Sequence, residues 1–251
     1  MRSTPTVVLV HGAFADGSSW SPVAALLLAQ GVPVTVPANP LRGISSDSAY
    51  IASVLDQIPG PVLAVGHSYG GAVITNAASG AGNVVGLVYV AAFAPAEGET
   101  LGAVEADSKD SVLNTALVPR TYPTADGGSA TEFYIDPAKA RDAFAGDLSN
   151  EEAALIAATQ RPVAEVAFGE PSGPPAWAHL PSWAVVATGD KAAGTDVVRS
   201  MAERAGAKIT ELEGSHVIML SQPQAVTDVI LEALAAVGAA SEQLAGSASE
   251  R

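Results

Sequence analysis

The segment Pro61–Ala78 constrains the fold of this chain more than any other. Pro61-Val62-Leu63-Ala64-Val65 is a short β-branched apolar run. Gly66-His67-Ser68-Tyr69-Gly70 follows directly, and Gly71-Ala72-Val73-Ile74-Thr75-Asn76-Ala77-Ala78 then reads as a helix. A buried strand that enters a helix through Gly-x-Ser-x-Gly makes a tight, strained turn with the serine hydroxyl exposed at the sheet edge. A larger side chain at Gly66 or Gly70 would clash in such a turn. Ser68 also sits at a helix N-terminus, where the dipole favours developing negative charge.

The rest of the chain repeats the alternation. Strands are expected near Thr6–Val10, Pro33–Val36, Val62–Val65, Val84–Val90, Trp183–Ala187 and Lys208–Leu212. Helices are expected near Ser19–Gln30, Ser46–Gln57, Ser68–Gly80, Thr195–Ala205 and Gln222–Val237. Continuous apolar runs between helices predict buried parallel strands. The pattern breaks between residues 94 and 181, where no strand is expected and helices are read at Pro137–Phe144 and Ser149–Thr159. This divides the chain into a core (1–93 and 182–237), a mainly helical insertion lying over the strand ends (94–181) and a loose, frayed tail (238–251).

A serine hydroxyl needs a general base. The chain has 4 histidines. His11, at the end of the first strand, is placed to shape a turn, His67 should point away from its neighbour Ser68, and His179 precedes a strand. His216 follows the last strand on the edge that carries Ser68. Asp190, at the end of the penultimate strand, is the candidate to orient it, with Glu97 and Glu99 as rivals. An oxyanion hole needs two backbone N–H groups. Tyr69, directly after the serine, and Ala13, after His11-Gly12, can supply them.

These residues resemble the α/β-hydrolase superfamily over nearly the whole chain. Within it, the resemblance is to the esterase and hydroxynitrile-lyase branch, which includes plant methyl-salicylate esterases and small bacterial serine hydrolases. It rests on Val8-Leu9-Val10-His11-Gly12-Ala13, Trp20, Gly66-His67-Ser68-Tyr69-Gly70-Gly71, Thr188-Gly189-Asp190-Lys191 and Ser215-His216-Val217-Ile218-Met219-Leu220-Ser221. The order Ser68, Asp190, His216 is the chain order of that architecture. The resemblance implies an α/β-hydrolase fold with a mostly parallel six-stranded core sheet flanked by helices and a cap insertion. In the lyases of the branch a Lys follows the catalytic His. Here Val217 stands there, which favours ester hydrolysis. Ala192-Ala193-Gly194 replaces an Ile-Pro pair, a departure that bears on the local loop.

The expected activity is cleavage of a small carboxylic ester by Ser68, His216 and Asp190 through an acyl-enzyme. Phe14 and Met219 are expected in an apolar substrate pocket. The alternatives on the same residues are a lactonase, amidase, C–C hydrolase or cofactor-free lyase, or a non-catalytic binder. With 12 Lys+Arg against 26 Asp+Glu the net charge is -14, which disfavours nucleic acid and anionic membranes as partners. No cofactor or metal is expected, since no dinucleotide fingerprint, phosphate loop or metal-ligand spacing occurs and Cys is absent. The partner is then a small ester-like molecule, and a homodimer is an allowed assembly. With no signal sequence and no membrane-length apolar run, the expected location is cytoplasmic.

Overall fold

The structure, a computed structural model, describes residues 4–249, with side chains described for residues 4–239. The chain runs β1 (Thr6–Val10), α1 (Ser21–Ala29), β2 (Val34–Thr35), α2 (Ile44–Asp56), β3 (Val62–His67), α3 (Tyr69–Ala77) and β4 (Val84–Val90). The excursion follows, with α4 (Leu101–Ala106), β5 (Leu117–Pro123), β6 (Ser129–Ile135), α5 (Ala140–Phe144), α6 (Asn150–Thr159), β7 (Val163–Ala164) and α7 (Val166–Gly169). The core resumes with β8 (Ser182–Ala187), α8 (Thr195–Arg204), β9 (Lys208–Leu212), α9 (Ile218–Ser221) and α10 (Pro223–Ser249).

Six strands form one sheet in the order β2-β1-β3-β4-β8-β9, every neighbouring pair parallel. All residues of β3 and β8 are buried. Helices cover these strands on both faces, and this is why they read as unbroken apolar runs. α1 packs with α10, α2 packs with α3, and α10 lies along β4 and β8. Among the described residues no helix is long and apolar enough to cross a membrane.

Two expectations need correction. The segment 94–181 is not free of strands, because β5 and β6 form an antiparallel hairpin with β7 beside it. Pro119 and Pro123 argue against a strand in sequence. Both lie in β5, at the exposed edge of its sheet, where missing N–H groups are tolerated. Gly127, at φ 84°, helps turn the hairpin after Asp126. The expected loose tail is in fact helical over most of its length, as α10 continues past Val237 to Ser249. Its Ala, Glu, Gln and Leu content favours helix despite the missing apolar period. Residues 250–251 of that tail lie outside the described residues.

Candidate active site

Ser68 sits between β3 and α3 with φ 53° and ψ -125°. A non-glycine residue at positive φ is strained by about 1–3 kcal/mol and persists only where its surroundings impose it. The surroundings here are crowded: a Cβ added to Gly66 would lie 2.6 Å from the Gly70 carbonyl oxygen. Phe14 and Ala91 also have positive φ, 59° and 44°. The carboxyl ends of the adjacent strands β1, β3 and β4 therefore each carry a strained residue, at the edge where open α/β sheets bind ligands.

The chain turns that follow β8 and β9 bring Asp190 and His216 together. His216 Nδ1 lies 2.8 Å from Asp190 Oδ2, with side-chain exposures of 1% and 0%. The carboxylate cannot donate, so Nδ1 carries the proton and Nε2 is left as an acceptor. Asp190 Oδ1 accepts the N–H groups of Ala192 and Ala193 at 2.9 and 3.0 Å. The Ala192-Ala193-Gly194 departure thus closes into a clasp around the carboxylate. Thr195 completes it, its hydroxyl accepting from the Asp190 N–H at 3.1 Å and donating to the Ala187 carbonyl at 2.8 Å. The rival acids are elsewhere. Glu99 is paired with Arg204 at 2.6 Å, and Glu97 is exposed.

Ser68, His216, Ala13 and Tyr69 line one narrow chamber of about 10 Å³, together with Phe14, Phe93, Leu113 and Phe168. Neither the Ala13 nor the Tyr69 N–H makes a backbone hydrogen bond among the described residues. Met219 lies outside this chamber and lines a neighbouring groove, to which Phe14 also contributes.

Several supporting contacts escape the sequence reading because the partners are distant in the chain. His67 Nε2 lies 2.9 Å from the His216 carbonyl oxygen and donates to it. Its Nδ1 has no hydrogen-bond partner among the described residues. Burial, then the neighbouring His216, push the His67 pKa well below the usual histidine range, so the ring is neutral. His11 Nε2 accepts the Asn39 N–H at 2.9 Å, which places its proton on Nδ1, facing the Gly12 carbonyl at 2.9 Å. Burial lowers its pKa too. This pair fixes the end of β1 beside Ala13. The Tyr69 hydroxyl donates to Asp47 Oδ2 at 2.8 Å, and burial, then the Asp47 charge, push the phenol far above its usual range.

Two carboxylates approach from the excursion. Asp147 accepts the Ser215 N–H at 2.9 Å and also the Ser215 hydroxyl. Burial pushes the Asp147 carboxyl up, but hydrogen bonds from Ser215 and Ser221 outweigh it and hold the pKa below the usual range. Glu105 is buried, and burial pushes it up to about 7. The Ser111 hydroxyl stands 3.3 Å from Glu105 Oε1 and donates to the Ala192 carbonyl at 2.6 Å. Glu105 is therefore two hydrogen-bonded links from the clasp around Asp190.

Comparison with known proteins identifies the family and the fold. A sequence profile of the alpha/beta hydrolase family matches residues 7–229. A carbendazim hydrolyzing esterase from Nocardioides sp. (strain SG-4G) is 34% identical over 134 residues. That match covers 48% of this chain and spans about half, 52%, of the relative. Among solved structures, polyneuridine aldehyde esterase superposes with a TM-score of 0.77 at 21% identity, covering 92% of this chain and 99% of its own. A pyrethroid hydrolase from Sphingobium faniae JZ-2 superposes with a TM-score of 0.74 at 22% identity, covering 93% and 98%. At these identities the likeness is one of fold.

Proposed function

Because the chain belongs to the alpha/beta hydrolase family, we propose that it is a serine esterase that cleaves a small carboxylic ester through an acyl-enzyme. The observation that carries this reading is the buried 2.8 Å His216–Asp190 hydrogen bond, whose imidazole shares a chamber with the strained Ser68. The esterase names of the relatives support the same bond type.

In this reading His216 Nε2 takes the proton of Ser68 Oγ as Oγ attacks the ester carbonyl carbon. The carbonyl π electrons move to oxygen, and the resulting oxyanion faces the free N–H groups of Ala13 and Tyr69. Asp190 holds the imidazole and stabilises its cation. On collapse the C–O bond to the alcohol breaks, and His216 returns the proton to the leaving oxygen. A water, deprotonated by His216, then releases the acid and restores Ser68. The apolar Val217 after His216 offers no cation to a departing cyanide, so hydrolysis is favoured over lyase chemistry.

The test is intact-mass spectrometry with peptide mapping after treatment with a fluorophosphonate. A single adduct on Ser68, lost in His216→Ala, is expected. Undiminished ester turnover by Ser68→Ala would overturn the reading.

A further inference from the structure

Phe14 and Phe144 meet edge to face, with ring centroids 6.1 Å apart and an interplanar angle of 88°. Both rings line two cavities at once, the chamber around Ser68 and a groove of about 300 Å³ beyond it. The Phe144 ring also lies 5.0 Å from the His216 ring. The aromatic pair therefore borders both the space at the reacting residues and the groove. Leu148, Leu155, Ile156, Met219 and Leu220 make the groove largely apolar. Leu155 is 64% exposed, a large apolar side chain left facing water inside a concave surface.

We propose that this groove binds the alcohol portion of the substrate and the chamber its acyl portion, so that the substrate class is a short-chain acyl ester of a neutral, apolar alcohol several carbons long. The assignment rests on the esterase reading. Its direction follows from the chemistry of the two sides. The acyl carbon bonds to Ser68, inside a chamber far smaller than the groove. The leaving oxygen must face His216, which protonates it, and the groove is built from Val217, Met219 and Leu220, the residues that follow His216.

The rim adds a charge filter. Asp16 and Glu152 both line the groove. A hydrogen bond from the Ser18 hydroxyl holds the Asp16 carboxyl below its usual range, and one from Ser149 does the same for Glu152. Both are ionised at neutral pH and repel an anionic alcohol portion.

The experiment measures kcat/KM of the full chain for two ester series, with fluorophosphonate labelling of Ser68 alongside. One series is methyl, butyl and hexyl acetate. The other is the methyl esters of acetic, butyric and octanoic acids. A methylene entering a half-open apolar groove is worth about twofold, so kcat/KM should rise about thirtyfold from methyl to hexyl acetate. Along the acyl series it should fall by about tenfold or more as the chamber is overfilled. The acetate ester of 6-hydroxyhexanoic acid should be a poorer substrate than hexyl acetate, with the gap narrowing as salt is added. Leu155→Glu, at an exposed helix position that does not threaten folding, should cut the hexyl-to-methyl ratio about fivefold or more. Ile156→Trp, which fills the groove, should cut it as well. A flat alcohol series, or a rising acyl series, with Ser68 labelled would overturn the assignment and leave the esterase reading standing. No labelling and no hydrolysis of any ester would overturn both.

Discussion

The ring of His67 donates through Nε2 to the carbonyl oxygen of His216 at 2.9 Å. The residue before the proposed nucleophile thereby holds the backbone of the proposed base, linking the ends of two elements far apart in the chain. His67→Ala should lower kcat about 10- to 100-fold with KM nearly unchanged, and should lower stability by about 2–4 kcal/mol through a cavity and an unpaired buried carbonyl. His67→Gln, which keeps a donor at similar reach, should recover part of kcat. Steady-state kinetics on both variants check this, and an unaltered kcat in His67→Ala would refute it.

Ser68 is held at φ 53°. Glycine adopts that conformation without strain. Ser68→Gly should therefore stabilise the fold by about 1 kcal/mol while abolishing ester turnover. Urea unfolding of the two proteins reads the first effect. A destabilised Ser68→Gly would mean that the turn is not strained.

Asp190 divides its oxygens, Oδ2 to His216 and Oδ1 to the two alanine amides. Asp190→Asn replaces one acceptor with a donor and turns the imidazole to the wrong tautomer. A fall in kcat on the order of 10³- to 10⁴-fold is expected, with slower fluorophosphonate labelling of Ser68.

Burial raises the Glu105 pKa from 4.5 to about 7. Between those values the folded chain binds more protons than the unfolded one, so this group's contribution to stability falls as pH rises and stays low above the folded pKa. Glu105→Gln removes that penalty. It should match the parent near about pH 4 and exceed it by roughly a few kcal/mol near about pH 8. Denaturant titrations at the two pH values decide, and an equal difference at both would remove Glu105 as a titrating group.

How far the sequence carries depends on the range of the determining interactions. The elbow, β1, β3, β4 and β8 are written in local runs and in glycines that cannot be larger, so they are legible. The helix read at Ser149–Thr159 is legible too, and the structure opens it at Asn150, with Ser149 in a reciprocal capping box with Glu152. The hairpin was hidden because Pro119 and Pro123 break strands except at an exposed edge, and edge position is a tertiary fact. His67, Asp47 and Glu105 were missed as partners of the site for a related reason. Each is ordinary in its local window and acquires its role only when distant segments pack against it.

The excursion leaves the core after β4 and returns into β8, and these strands are hydrogen-bonded neighbours, with Val90 opposite Val185 and Leu87 opposite Ser182. Because the two strands are parallel, the excursion leaves the carboxyl end of β4 and has to return to the amino end of β8. The excursion is therefore itself the crossover between the two strands, and it also fastens the turns after β8 and β9, through Ser111 to the Ala192 carbonyl and through Asp147 to Ser215. The cover of the chamber and the fastening of its frame are thus one segment, so a graft of 94–181 from another protein would change selectivity on an intact frame only if it kept the crossover and the contacts of Ser111 and Asp147.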